Sequence, residues 1–423
     1  MHVEYSALPC GYSEATIQQW LLQWFQQWTH SCVFECEDWR IYTWSSADDT
    51  VLGKDITTLS ELAKKHCSHT TILQQNCPIP FATGHIALLG YDAPPIIAHC
   101  KSVLAYHKTT ETWHWCGNQE NKQTLLEQLD TIPRTDTMDI SPSSNTKAQA
   151  ELQILDSMTK EEYTMAVNKT KEAISTGDVY QINLSHYLSL PVHNPLDLWQ
   201  RIQAENPSRH GVYWKSPTIT IISNSPELFL HISPEREITS CPIKGTHAHP
   251  EDPQSYQHLW SSEKEESELT MIVDMMRNDL SLVCVPGSVV AENRKIRQCG
   301  DLLHAEQKVC GRLHSNISVW DAVSSCFPPA SITGAPKKSA MEHIAQLETS
   351  ARGYYTGSFG FVDIRGNATW NVLIRSIFIE NVDLPEKQGK LHVGAGIVYD
   401  SNAEHEWYET LAKAHKILNI TLV

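Results

Sequence analysis

Glu237-Ile238-Thr239-Ser240-Cys241-Pro242-Ile243-Lys244-Gly245-Thr246 reads as a strand over 237–243 that runs into a Lys-Gly-Thr turn. Residues 263–280 follow with helical spacing, so strand and helix stand side by side in the chain. The same alternation continues in both directions. Upstream lie a helix over 160–176 closed by Gly177, then strands over 179–190, 218–223 and 228–232. Downstream, 321–326 and 339–347 read as helices, 359–364, 370–380 and 391–398 as strands, and 404–418 as a last helix. The predicted class is therefore mixed α/β (α+β). Nearer the N-terminus, 86–91 and 113–116 are strand-like. Ile17, Trp20, Leu21, Trp24 and Trp28 recur at helical spacing after Ser13, predicting a helix packed on its own domain. Residues 131–150 crowd Pro133, Pro142, Ser143, Ser144 and Asn145 with few apolar neighbours and read as a connection between a region 1–145 and a region 151–423.

Bulk composition excludes several classes. With 41% hydrophobic and 19% charged residues the chain is not a disordered one. A formal net charge of -16 repels nucleic acid and anionic lipid, so neither is an expected partner, whereas a local basic pocket still admits a small anion. The 12 cysteines include no CxxC pair, which suits free thiols in a reducing compartment. The first residues lack a basic, apolar leader, and no long apolar run follows. The expectation is a cytoplasmic protein without a membrane span.

Polar residues on apolar faces mark candidate chemistry. At 100° per residue, Leu269, Ile272, Val273, Met276 and Leu280 form one stripe; Glu265 falls inside it and Glu268 at its edge. Such carboxylates are either a first-turn pair favoured by the helix dipole and reaching water, or ligands of a hard cation such as Mg²⁺. Alternation over 370–380 sets Arg375 among Leu373, Ile377 and Ile379, where it pairs with a structural carboxylate or with an anionic ligand. Gly394-Ala395-Gly396 follows a strand and allows close backbone approach to an anion. Gly334-Ala335-Pro336-Lys337 lacks the spacing of a Walker loop, and no GxGxxG or GxSxG is present. His247 and His249 have no third ligand at zinc spacing.

Taken together, Pro242-Ile243-Lys244-Gly245-Thr246, Lys264-Glu265-Glu266-Ser267-Glu268 with Arg277-Asn278-Asp279-Leu280, Ser331-Ile332-Thr333-Gly334-Ala335-Pro336-Lys337, and Gly394-Ala395-Gly396 with Glu406-Trp407-Tyr408-Glu409-Thr410 resemble the chorismate-utilising enzymes. The resemblance runs from about residue 151 to the C-terminus, with a looser match at Leu89-Gly90-Tyr91-Asp92. It implies a large composite unit of two facing β-sheets with outer helices, of the anthranilate synthase component I type, acting on chorismate with Mg²⁺. By position it makes Glu268 and Glu409 the metal ligands, with Glu265 and Glu406 close behind. The periodicity supports only Glu265 and Glu268, since Glu409 lies off the apolar stripe of its helix and at i+4 spacing from Lys413. The resemblance also assigns Tyr355, Arg375, Lys413 and the backbone of Gly394, Ala395 and Gly396 to the substrate's carboxylates, Gly245 and Thr246 to another substrate contact, and His304 to a place near the ring.

Two positions separate family members. Those that add water carry a lysine base where this chain has Gln181, which cannot deprotonate water. Ammonia is then the expected nucleophile, and a separate glutamine amidotransferase subunit its expected source. Anthranilate synthases carry alanine where this chain has Lys244; aminodeoxychorismate synthases carry lysine. The resemblance thus leads to 4-amino-4-deoxychorismate, a precursor of para-aminobenzoate and folate, with Lys244 as nucleophile and Glu227 of Ser225-Pro226-Glu227 as acid and base; the alternatives are anthranilate synthase component I and a non-catalytic chorismate-binding homologue. Departures are His186, where Arg or Gln is common, and Pro329-Ala330 in place of a Gly-rich pair. No Leu-Leu-Glu-Ser element of the kind linked to tryptophan feedback is visible.

Overall fold

The computed structural model describes residues 3–8, 14–66, 77–130, 155–248, 252–299, 302–380 and 387–418. The connection read at 131–150, together with Ser13 and His249, lies outside them. Two large antiparallel sheets, of twelve and nine strands, face each other, and a three-stranded sheet stands beside them. Between the large sheets the core is aromatic and aliphatic. Phe34, Trp214, Ile221 and Phe378 of the first meet Ile86, Leu88, Phe359 and Phe361 of the second.

Helices cover the outer faces. On the twelve-stranded sheet lie Glu14–Trp24, Gln119–Leu129, Pro195–Glu205 and Ala403–Leu418, whose Ile17, Leu21, Leu125, Trp199 and Ile417 are buried against Val33, Leu188 and Val393. The tryptophan-rich first helix thus packs on its own protein, as its stripe predicts. On the nine-stranded sheet lie Leu59–His66, Glu263–Ser281 and Val319–Cys326. Every member of the stripe predicted for 263–280 is buried there.

Strands from either side of residue 150 share both sheets. Phe34 pairs with Val212, and Ala87 pairs with Gly360.

Two predicted strands are broken, each for a local reason. The run 237–243 ends at Cys241, because Pro242 has no N–H to give a ladder. A new strand, Ile243–Ala248, starts beyond it in the three-stranded sheet. Lys244 and Gly245 therefore lie inside a strand rather than in a turn. The register slips between Lys244 and Thr246, a bulge made by Gly245 at φ +69°. The run 370–380 also splits. Ala368–Asn371 belongs to the nine-stranded sheet and Ser376–Glu380 to the twelve-stranded one. Arg375, at φ +53°, sits in the left-handed region at the crossing, so the alternation that placed it on a continuous strand face does not apply.

Candidate active site

The glycine pair Gly394 and Gly396 forms the floor of the site. Strand Lys387–Ile397 pairs with Gln181–Val192 so that Asn183 stands opposite Gly396 and Ser185 opposite Gly394. Gln181, Asn183 and the two glycines therefore share one face of the sheet. A Cβ on Gly396 would lie 2.5 Å from Gln181 Nε2 and 3.2 Å from Lys244 Nζ; one on Gly394 would lie 2.9 Å from Asn183 Oδ1 and 3.0 Å from Tyr355 OH. Side chains at these positions would fill the space on which Lys244, Gln181, Asn183 and Tyr355 converge. Ala395 faces the other way, buried with Tyr163, Leu184 and Trp407, and offers the site only its backbone. Lys413 donates to the Gly394 carbonyl at 2.9 Å and pairs with Glu409 at 2.8 Å.

The bulge at Gly245 aims Lys244 at this floor. A Cβ on Gly245 would come 2.9 Å from Glu265 Oε2, so the position needs glycine both for its φ and for the carboxylate beside it. Lys244 Nζ lies 3.5 Å from Glu268 Oε2, and Lys264 Nζ 4.0 Å from Glu268 Oε1. Burial, then the charge of Glu268 and also of Glu409, raises the Glu265 carboxyl above its ordinary value. Burial and Glu409 likewise raise Glu406, whose Oε1 accepts from Ser401 Oγ at 2.8 Å. Burial raises Glu409 too, but Lys413 outweighs it and the net shift is downward.

Four carboxylates thus feel one another across two helices, with lysine ammonium groups among them. Among the described residues no three His, Cys, Asp or Glu side chains form a ready-made metal cage. Mg²⁺ needs no such cage, because it takes one or two carboxylates and fills its shell with water and substrate. The donor set of Glu268 and Glu409, backed by Glu265 and Glu406, fits that requirement.

Glu227 is buried, with 4% of its surface exposed. Burial pushes its carboxyl up to about 7, against hydrogen bonds from the Ser331 hydroxyl and the Ile243 N–H and the pull of Lys244 and Arg375. A carboxyl so placed holds a proton near neutral pH and can both give and take one. His304 pairs across the strands with Thr246, and its ring hydrogen-bonds the Gly245 backbone. Burial, with Arg375 nearby, pushes it down to about 4, so it is neutral at physiological pH.

Tyr355 is carried by a loop that other motifs fix. Asp92 accepts from the N–H groups of Arg352 (3.1 Å) and Gly353 (2.6 Å), and the Arg352 guanidinium lies over the Tyr91 ring. Arg352 pairs with Glu348 at 2.6 Å, and His392 stacks on Tyr355 at 4.8 Å.

Residues 92–419 match the family described as chorismate binding enzyme. The chain belongs to the chorismate-binding enzymes. The protein named anthranilate synthase component 1 1 of Haloarcula marismortui is 37% identical over 268 residues, which are 62% of this chain and 53% of that protein. The anthranilate synthase component I-like protein of Synechocystis sp. is 32% identical over 382 residues, 83% of this chain and 76% of the relative. The chain thus spans about half the length of the Haloarcula relative.

The crystal structure of anthranilate synthase component I from Streptococcus pneumoniae aligns with TM-score 0.73 and 24% identity, over 92% of this chain and 90% of that one. The menaquinone-specific isochorismate synthase of Escherichia coli aligns with TM-score 0.74 and 15% identity, over 98% and 94%. At these identities the likeness is one of fold, and it agrees with the architecture expected from the sequence motifs. No described helix is long and apolar enough to cross a membrane.

In this chorismate-binding enzyme Lys337, Asp279 and His186 make structural contacts. Lys337 pairs with the buried Asp279 at 2.6 Å, tying two motif stretches together. His186 bonds Asp156 and Thr410 (2.8 and 2.7 Å) and stacks on Trp407, away from the floor. Thr246 is placed by its strand, opposite His304. Sequence reasoning missed Asn183, two positions along the strand from Gln181, and Ser331, which opens the motif 331–337. A cavity of about 640 Å³, lined by Arg209, His231, Lys308 and Arg365, lies behind the site. It shares only the Ile243 and His304 wall with the residues above and touches neither Lys244 nor the glycine floor.

Proposed function

We propose that this chain converts chorismate and ammonia to 4-amino-4-deoxychorismate and water. The observation that carries the reading is the Lys244 amine, held above Gly396 beside Gln181. A lysine there is a nucleophile within reach of anything lying on the floor, and Gln181 offers no base to activate water.

In this reading Lys244 in its neutral form bonds to C2 of chorismate. Both ring double bonds shift, and the C4 hydroxyl leaves as water with the proton of Glu227. Ammonia then bonds to C4, the two double bonds shift back, the C2–N bond breaks and returns its electron pair to the Lys244 amine, and Glu227 takes the surplus proton. Arg375, Tyr355, Lys413 and the backbone of Gly394, Ala395 and Gly396 hold the substrate's carboxylates, Gly245 and Thr246 contact it, and neutral His304 lies at the ring. Glu268 and Glu409, backed by Glu265 and Glu406, would hold Mg²⁺, whose charge offsets a substrate carboxylate. A glutamine amidotransferase subunit as ammonia source belongs to the same reading.

The test is product analysis with chorismate, Mg²⁺ and an ammonium salt. The reading requires a product that becomes para-aminobenzoate only after an aminodeoxychorismate lyase is added. The names of the curated relatives favour a second reading, anthranilate synthase component I. Fluorescent anthranilate formed without any lyase would establish it and overturn the first.

A further inference from the structure

We propose that His186 is buried as an imidazolium and acts as a positioning residue, holding the helix turn that carries Glu406 and Glu409. The role rests on the reading of Glu409, backed by Glu406, as a Mg²⁺ ligand, and not on which product the chain forms.

His186 lies on the strand Gln181–Val192, on the same face as Leu184 two positions before it. That face is the back of the glycine floor. Leu184 packs there with Ala395, Ile397, Tyr163 and Trp407, whereas Gln181 and Asn183 point to the front. None of the His186 side chain reaches solvent. Its ring lies nearly flat on Trp407, with centroids 4.7 Å apart and 18° between the planes, and Tyr163 meets it edge-on at 5.5 Å. An apolar side chain would suit these neighbours as well, so the two polar contacts that histidine makes call for a reason.

Counting protons supplies it. Nε2 lies 2.7 Å from Thr410 Oγ1, and that hydroxyl donates to the Trp407 carbonyl at 2.7 Å. A hydroxyl has one proton to give. Were it given to Nε2 instead, two oxygens would meet at hydrogen-bond distance with no proton between them. Nε2 therefore donates to Oγ1. Nδ1 lies 2.8 Å from Asp156 Oδ1, which also accepts the Met158 N–H at 3.2 Å. A carboxylate oxygen only accepts, so Nδ1 carries a proton too. With both nitrogens protonated the ring is a cation, and Asp156 is its counter-charge. The face of the Trp407 indole favours a cation as well. Of the other ionisable groups near it, Tyr163 is pushed well up by burial and by Glu406 and Glu409, and His392 is pushed down to about 3 by burial, Arg352, Lys390 and His186; both are neutral.

The contact falls at one place in the helix Ala403–Leu418. Thr410 is fully buried and directly follows Glu409, and its bond back to Trp407 spans the turn between Glu406 and Glu409. Asp156, at the other end, is fixed by a short strand that pairs with Leu188. Asp156, His186 and Thr410 thus form a line that ties this turn to the back of the floor. A small rotation of the helix would move both carboxylates against Glu265 and Glu268, and Mg²⁺ demands near-ideal octahedral geometry.

Neutron diffraction from wild-type crystals, grown in deuterated buffer at neutral pH, reads the protons directly. Deuterium is expected on Nδ1 and Nε2 of His186 and between Thr410 Oγ1 and the Trp407 carbonyl. A bare ring nitrogen would overturn the imidazolium. Calorimetric titration of Mg²⁺ into the full-length protein, with chorismate and without ammonium, reads the positioning. His186→Leu and Thr410→Val should each weaken Mg²⁺ binding about ten-fold, and the double variant should bind no more weakly than the singles, because the groups act in one line. Unchanged Mg²⁺ affinity in variants with the wild-type circular dichroism, or losses that add, would overturn the positioning role. Wild-type protein that takes up no Mg²⁺ would sink the metal reading and the role that rests on it, while the two protons on His186 are read by neutrons without any variant.

Discussion

Lys244 and Glu227 carry opposite demands, and each can be tested by one substitution. If the Lys244 amine attacks the substrate, Lys244→Ala should slow aminodeoxychorismate formation about a thousand-fold. Peptide mass analysis of the wild-type chain incubated with chorismate in the absence of ammonia should show a substrate-derived adduct on Lys244. An alanine variant that keeps full rate and an unmodified lysine would end the covalent route. Glu227 also makes a stability prediction. Its folded carboxyl titrates at about 7, above its ordinary 4.5, so the native state holds a proton that the unfolded chain has already released. The corresponding stability is fully present below the ordinary carboxylate range and is lost as pH rises through about 7. At pH 8 the buried charge costs about 3 kcal/mol at most, a cost that Glu227→Gln removes. Thermal unfolding should therefore find the glutamine variant more stable than wild type at pH 8, the gap shrinking toward pH 5, while its turnover falls on the order of 10²- to 10⁴-fold. An equal gap at both pH values would mean that Glu227 is not protonated in the native state.

Single helices and strands show what was legible in the sequence and what was not. The helix Glu263–Ser281 was readable almost whole, because its buried stripe follows the 3.6-residue period and Glu265 and Glu268 interrupt it visibly. Its partners were not readable from periodicity: Lys244 comes to Glu268 through a bulge, and Glu409, which only the family resemblance named, comes from a helix far along the chain. If these carboxylates hold Mg²⁺, Glu268→Gln should raise the Mg²⁺ concentration for half-maximal rate about 10- to 100-fold, and an unchanged metal dependence would discount the assignment. The segment 370–380 misled because alternation carries no sign of φ. Val372, Leu373 and Ile374 look like strand residues, yet the chain crosses between sheets there and turns at Arg375. Arg375→Gly and Arg375→Ala both remove the guanidinium and should weaken chorismate binding alike. The glycine variant should be the more stable of the two by about 1 kcal/mol, because only glycine takes φ +53° without strain. Equal stabilities would show that the backbone relaxes once the arginine is gone.

For the whole molecule, the sequence reads as two regions, 1–145 and 151–423, whereas hydrogen bonding joins strands from both. The twelve-stranded sheet runs from Glu4–Ala7 through His30–Cys36 directly into Val212–Lys215, and the nine-stranded sheet places Gly84–Leu89 against Ser358–Asp363. Composition could mark the connection but not this sharing, since pairing between distant strands leaves no local signature. Removing 1–145 would strip one edge from each sheet and expose Trp214, Phe359 and Phe361, now buried in the core between them. The fragment 151–423 should therefore be insoluble alone, although it carries Lys244, Glu227, the four glutamates and the glycine floor. Co-expression with 1–145 should restore a one-to-one complex, seen by size-exclusion chromatography with light scattering, and with it turnover of chorismate and ammonium. A soluble, active 151–423 fragment would show instead that the shared sheets only append the N-terminal strands to a core that closes without them.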